Sequence, residues 1–386
     1  MQERSGAACD HYRRFPQDFD LAARLGHTAH RFSIEWARIE PEDGVWDDAA
    51  LAHYVQVVAA LRERRIEPLV TLHHFTSPHW FTAQGGWTRP DAVDRFARYT
   101  ERVAKALGSA VRYWFTINEP MVYVRMHHLQ GTGPPGGRDL GLALRATEHL
   151  IRAHAAAYRV LHAANPGAQV SIAHNTPAFA PHHRWWPPDR WVAGATDQIF
   201  SFAFIEALLT GVWKAPIVGT WRLPEARGTL DYLGMNFYGR KFLRCWPWPG
   251  KWPGIECNLV HHRREVPERS DFGWDVAPDP FGAMLVRLSR FKVPIIVSEN
   301  GVYVHDDARR VRFIEGHVQA MARAMQQGAR VIGYCYWSLL DNFEWADGYG
   351  PRFGIIEVDY ATQARRIRDS GQRYAAICRA NAIELP

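Results

Sequence analysis

Two glutamates in this chain are placed for acid and base work on a single bond. Glu119 lies in Trp114-Phe115-Thr116-Ile117-Asn118-Glu119-Pro120, and Glu299 in Ile295-Ile296-Val297-Ser298-Glu299-Asn300-Gly301. Each stands where a β-rich apolar run stops and a Pro or Gly forces a turn, so both carboxylates belong at strand C-terminal ends. In a parallel barrel those ends make the active-site face. Two carboxylates facing each other across a pocket can cleave a glycosidic bond, one protonating the leaving oxygen while the other attacks carbon or activates water. By position alone the same residues read equally well as solvated glutamates in two surface turns.

The elements that must position them alternate from one end of the chain to the other. Strand patterns fall at about 28 to 34, 67 to 72, 111 to 117, 169 to 174, 231 to 236, 293 to 298 and 330 to 337. Helical periodicity covers 16 to 25, 47 to 64, 91 to 107, 142 to 163, 307 to 326 and 363 to 380, with Gly26 and Gly108 as left-handed stops. No Gly/Ser linker or low-complexity break interrupts this order, which argues for one βα-repeat domain spanning 1 to 386. The 386 residues suit an α/β barrel. Seven strands are one short of the eight such a barrel uses, and the pattern opens on a helix.

Composition narrows the function classes. Hydrophobic residues at 47% and charged residues at 22% fit a globular enzyme with a large core. No apolar run nears the ~18 residues that span a membrane, so no membrane partner is expected. The polar start, Met1-Gln2-Glu3-Arg4-Ser5, lacks the apolar stretch of a signal peptide, which predicts a cytoplasmic protein. Five scattered cysteines predict reduced thiols, and the histidines show no ligand spacing for a metal. A net charge of +6 would permit a nucleic-acid partner, but the arginines form no long run and none is expected. Sixteen tryptophans matter more, because indoles stack on sugar faces as well as filling cores.

Several segments together resemble glycoside hydrolase family 1, the retaining β-glycosidases. They are Asn118-Glu119-Pro120 and Glu299-Asn300-Gly301, 180 residues apart (299 minus 119), with Arg31-Phe32-Ser33-Ile34-Glu35-Trp36, Asn236-Phe237-Tyr238-Gly239 and Trp337-Ser338-Leu339-Leu340-Asp341-Asn342-Phe343-Glu344-Trp345. The resemblance runs from about Asp10 to about Asn381. It implies Glu299 as nucleophile, with Arg31 as charge partner and Tyr238 as hydrogen-bond donor, and Glu119 as general acid and base. It also implies Asn118 at the sugar 2-hydroxyl, His74 and Asn236 as sugar-binding residues, Trp337 as a stacking floor, and Glu344 and Trp345 at the outer hydroxyls. Taken alone, His74 is more often a hydrogen-bonded core residue, and the doubled His73-His74 leaves its register open.

The fold so implied is a single-domain (β/α)8 TIM barrel lacking the family's first β-strand, which carries a Gln for the outer hydroxyls; nothing before Asp10 resembles that strand. Two stretches, 176 to 191 and 244 to 274, read as Trp- and Pro-rich loops over the pocket. They serve equally as a platform for the aglycone or as a lid packed on itself. The activity implied is hydrolysis of unphosphorylated β-glycosides from the non-reducing end, of β-glucosidase type and extending to β-galactosides or β-fucosides. Glu344 would repel a 6-phosphate. A small carbohydrate is the expected partner, with no cofactor, and no signal speaks to an oligomeric state. The rival reading, motivated by the absent strand, is a noncatalytic sugar-binding barrel.

Overall fold

Apolar, β-branched and aromatic runs bounded by turn residues form seven strands, and longer amphipathic stretches form the helices between them. The computed structural model describes residues 3–246 and 254–385. Its main strands are β1 (Ala29–Ser33), β2 (Glu67–His73), β3 (Tyr113–Asn118), β4 (Gln169–Asn175), β5 (Leu233–Phe237), β6 (Ile295–Asn300) and β7 (Val331–Tyr336). They form one seven-stranded sheet in chain order. The pairs β1–β2, β2–β3, β3–β4, β4–β5 and β6–β7 are parallel. Every strand lies within two residues of its expected span. Among the described residues no strand precedes the first helix, His11–Arg24.

Packing divides the chain into two compact units. One, Ala29–Asn175 with Gln198–Asn236, holds β1 to β4 and nearly all of β5. Its helices Asp48–Glu63 and Leu140–Ala164 begin at Asp47 and Asp139, whose side chains accept from Ala50 and Leu142 N–H and so satisfy donors the first turn leaves free. Its core includes the fully buried Trp36, Trp87 and Trp114.

The other unit, Met1–Thr28 with Thr176–Asp197 and Phe237–Pro386, holds β6 and β7. Leu25, Val302, Ile314, Ile355, Ile356 and Ala375 share its core. The first helix is tied to the C-terminal region by Arg365 Nε, 2.9 Å from the buried carboxylate of Asp18. That helix starts five residues before the expected Pro16, which sits inside it. The last helix begins at Asp369 rather than 363, because Arg365–Ile367 pairs with Ile356–Val358.

Two expectations are corrected here. The stretches read as loops carry regular structure: Ala178–Pro181 pairs in parallel with Arg240–Cys245, which pairs antiparallel with Gly254–Glu256. Pro187–Asp197 is a helix, with prolines where the first turn needs no N–H. Trp248 and Trp252 of the second stretch lie outside the described residues. The second correction concerns Pro187–Thr210, 24 helical residues whose 18-residue apolar window has a mean hydropathy of 1.3, long and apolar enough to cross a membrane by length and composition. Of its apolar window 61% is buried inside the protein, as in a core helix.

Candidate active site

The ends of β1, β2, β3 and β5 gather five of the predicted residues in one unit. Arg31, on β1, donates from Nε to Thr71 Oγ1 at 3.1 Å and from Nη2 to Asn118 Oδ1 at 2.7 Å. Its guanidinium carbon also lies 5.1 Å from the Phe115 ring centroid. Asn118 closes β3, and Asn236 of β5 donates to Asn118 Oδ1 at 3.2 Å and to Glu119 Oε1 at 2.9 Å. Both asparagines are fully buried and Glu119 nearly so. The Nδ2 of Asn118 is buried without a protein acceptor. An amide whose oxygen already has two donors thus keeps its N–H group for another partner.

Glu119 turns out of the strand in a left-handed conformation, φ 46° and ψ 57°. Pro120 disfavours the right-handed helical region for the residue before it, and with its own φ fixed it starts the helix Pro120–Val124. The Glu119 N–H is held by the Ala173 carbonyl of β4 at 2.6 Å. Left-handed geometry costs a non-glycine residue about 1–2 kcal/mol, and here it directs a carboxyl away from the ladder.

The doubled histidine resolves by environment. His73, the last residue of β2, is buried edge-on to Trp87 at 5.2 Å and near Tyr123, and its Nε2 meets Ser77 Oγ at 3.0 Å. Burial holds it neutral, down to about 3. His74, just past the strand, is driven well below the usual imidazole range by burial and then by the Arg31 guanidinium. It is the one that shares Arg31's surroundings.

The other unit gathers the remaining five. Glu299 lies in β6, and Tyr238, one residue beyond β5, donates its hydroxyl to Glu299 Oε2 at 2.6 Å. The Tyr238 ring packs edge-on against Trp274 at 5.6 Å and Phe353 at 6.5 Å. Gly239 follows at φ 131°, where an added Cβ would come within 2.5 Å of the Asp275 carbonyl. Trp337 leaves β7 with its N–H on the Asn300 carbonyl at 3.0 Å. Its side chain hydrogen-bonds Glu344, whose carboxyl is pushed up to about 7 by burial first, then by the charges of Glu299 and Asp347. Glu344, Glu299 and Trp337 therefore share one electrostatic neighbourhood. Trp345 stands at the rim of this unit, 37% exposed.

The loop carrying Glu344 is anchored from below. Asp341, fully buried, takes Arg368 in a two-pronged contact at 2.9 and 2.8 Å and also accepts from Gly354 and Val358 N–H. Sequence reasoning passed over Thr71, Tyr334, Asn300 and Arg368. Their signal was weak because each acts through a partner at least 27 residues away.

A sequence profile described as Glycosyl hydrolase family 1 matches residues 1–383. Beta-glucosidase A of Thermotoga maritima is 32% identical over 400 residues, covering 98% of this chain and 88% of its own. Thermostable beta-glucosidase B of Thermobispora bispora is 34% identical, covering 97% and 82%. Among solved structures, a beta-glycosidase from Pyrococcus horikoshii superposes with a TM-score of 0.91 at 37% identity, covering 98% of this chain and 86% of that one. The Thermotoga maritima beta-glucosidase in complex with deoxynojirimycin gives 0.91 at 30% identity, covering 98% and 88%. This likeness shows the expected fold class, a TIM barrel of alternating strands and helices.

Proposed function

The chain belongs to glycosyl hydrolase family 1 and is a β-glycoside hydrolase acting on a small carbohydrate, and from that premise we propose that it removes unphosphorylated β-glucosyl units from the non-reducing end with retention. Glu299 attacks the anomeric carbon while Glu119 passes its proton to the departing glycosidic oxygen, leaving a glycosyl ester on Glu299. Glu119 then takes a proton from water, whose oxygen attacks the same carbon and releases Glu299. Asn118 donates to the sugar 2-hydroxyl, and Arg31, Tyr238 and Asn236 hold the two carboxylates in place. His74, Trp337, Glu344 and Trp345 receive the sugar.

The observation that carries this reading is the 2.6 Å bond from Tyr238 to Glu299. A neutral donor on one carboxylate oxygen fixes the orientation from which Glu299 attacks. Glu344 supports an unphosphorylated sugar, because a carboxyl beside Glu299 gives a phosphate a repulsive neighbour. The test is proton NMR of the first anomer released from an aryl β-glucoside. The β anomer is expected before mutarotation; the α anomer would overturn retention. A panel of aryl β-glucosides, β-galactosides and β-fucosides then ranks the sugars.

A further inference from the structure

We infer that Asn300, with its amide oriented by Tyr334, is a positioning residue that fixes Glu299, Tyr238 and Trp337 relative to one another. This rests on the assignment of Glu299 as nucleophile. Asn300 is fully buried, and three of its polar groups each reach a different neighbour of the reacting carboxylate. Its Nδ2 donates to the Phe237 carbonyl at 2.8 Å, and Phe237 directly precedes Tyr238. Its Oδ1 accepts from the Tyr334 hydroxyl at 2.8 Å. Its main-chain carbonyl accepts from Trp337 N–H at 3.0 Å. Glu299 is the preceding residue.

The orientation of the amide follows from what each partner can do. The Phe237 carbonyl can only accept, so Nδ2 must face it, Oδ1 must face Tyr334, and the Tyr334 hydroxyl must donate. Burial favours the protonated phenol that this requires. One asparagine thereby ties the strand end bearing Glu299 to the strand end bearing its hydrogen-bond donor, Tyr238. Beside it, Gly301 lets Trp337 come close: an added Cβ would stand 1.8 Å from the Trp337 carbonyl. Without the Tyr334 hydroxyl the amide loses the contact that opposes its rotation, and the Tyr238–Glu299 distance is no longer held from behind. The main chain of Tyr334 is held independently, its carbonyl accepting from Tyr374 at 3.2 Å, so Tyr334→Phe removes the hydroxyl and leaves the strand in place.

The experiment follows covalent trapping by 2-deoxy-2-fluoro-β-glucosyl fluoride. A Glu299 oxygen bonds to C1, the C1–F bond breaks, fluoride leaves, and the electronegative C2 substituent slows release so that the adduct accumulates. Mass spectrometry of the digested protein locates and times the adduct. The expected result is labelling at Glu299 in the native protein, and at the same residue in Tyr334→Phe about tenfold more slowly at saturating reagent. For an aryl β-glucoside, kcat should fall with KM within about twofold and an unchanged melting temperature. Asn300→Ala should be slower still per folded molecule. Trapping of Tyr334→Phe at the native rate, or a loss that merely follows loss of folded protein, would overturn the positioning role while leaving the nucleophile assigned. Native protein unlabelled at Glu299 would overturn the assignment and this inference with it.

Discussion

Asn236 holds Glu119 by a 2.9 Å bond to Oε1 and offers the same amide nitrogen to Asn118 Oδ1 at 3.2 Å, so one buried side chain on β5 aligns two consecutive residues at the end of β3. A general acid works only from a fixed place relative to the leaving oxygen. Asn236→Ala should therefore lower kcat on the order of tenfold for poor leaving groups and much less for dinitrophenyl glucosides. A kinetic series across leaving groups checks this; equal losses throughout would mean that Asn236 does not act through Glu119.

Exchanging the two carboxylates for alanine separates their roles. Glu299→Ala should lose turnover on the order of 10⁴-fold or more, and azide should restore it with an α-glycosyl azide as product. Glu119→Ala should keep a fast first step with good leaving groups, stall at deglycosylation, and give the β-glycosyl azide. Product NMR distinguishes the two, and the opposite anomers would exchange the assignments.

Tyr238→Phe keeps the ring between Trp274 and Phe353 and removes the 2.6 Å bond to Glu299. Hydrogen bonds to a charged group contribute roughly 1.5–3 kcal/mol, so kcat should drop about 10- to 150-fold. Thermal unfolding should be nearly unchanged. A variant with native kcat would remove the observation on which the proposed mechanism stands.

Glu344 gives a pH dependence of known sign. Its carboxyl titrates at about 7 instead of its ordinary 4.5, because burial and then Glu299 disfavour its charge. Between those values the folded protein holds a proton that the unfolded chain has released, so this group's contribution to stability falls as pH rises through that window. Glu344→Gln removes the effect. Its melting temperature relative to the native protein should rise between pH 5 and pH 8, and a gap constant with pH would refute the electrostatic account.

Gly301→Ala should be among the costliest single methyl additions in the chain. The new Cβ would lie 1.8 Å from the Trp337 carbonyl, a backbone atom that cannot swing aside. A loss above about 3 kcal/mol is expected, with Trp337 displaced. Urea unfolding and glucoside KM together measure both consequences; near-native stability would show that β6 and β7 slide more freely than their hydrogen bonds imply.

The seven strands were legible from local pattern alone, since β-branched runs closed by Pro or Gly need no distant information. The same pattern placed Glu119 just past the end of β3 and Glu299 one residue before the end of β6. Segment 176 to 191 was misread because Pro, Trp and His are weak signals in isolation. Ala178–Pro181 becomes a strand only by pairing with Arg240–Cys245, and Pro187–Asp197 tolerates its prolines only because they fall in the first helical turn.

What the sequence determined by itself was the inventory: which residue types stand at strand ends, and five segments whose joint order marks one family. Only the tertiary structure decided who holds whom. It placed Arg31 on Asn118, turned His73 into the aromatic core while leaving His74 beside Arg31, and set Asn300 between Tyr334 and Phe237. Those partners lie from 14 (87 minus 73) to 87 residues apart in sequence. Their pairing depends on which strands become neighbours and in what register, and a hydrogen bond of 3 Å is set by that register rather than by any local preference of the chain.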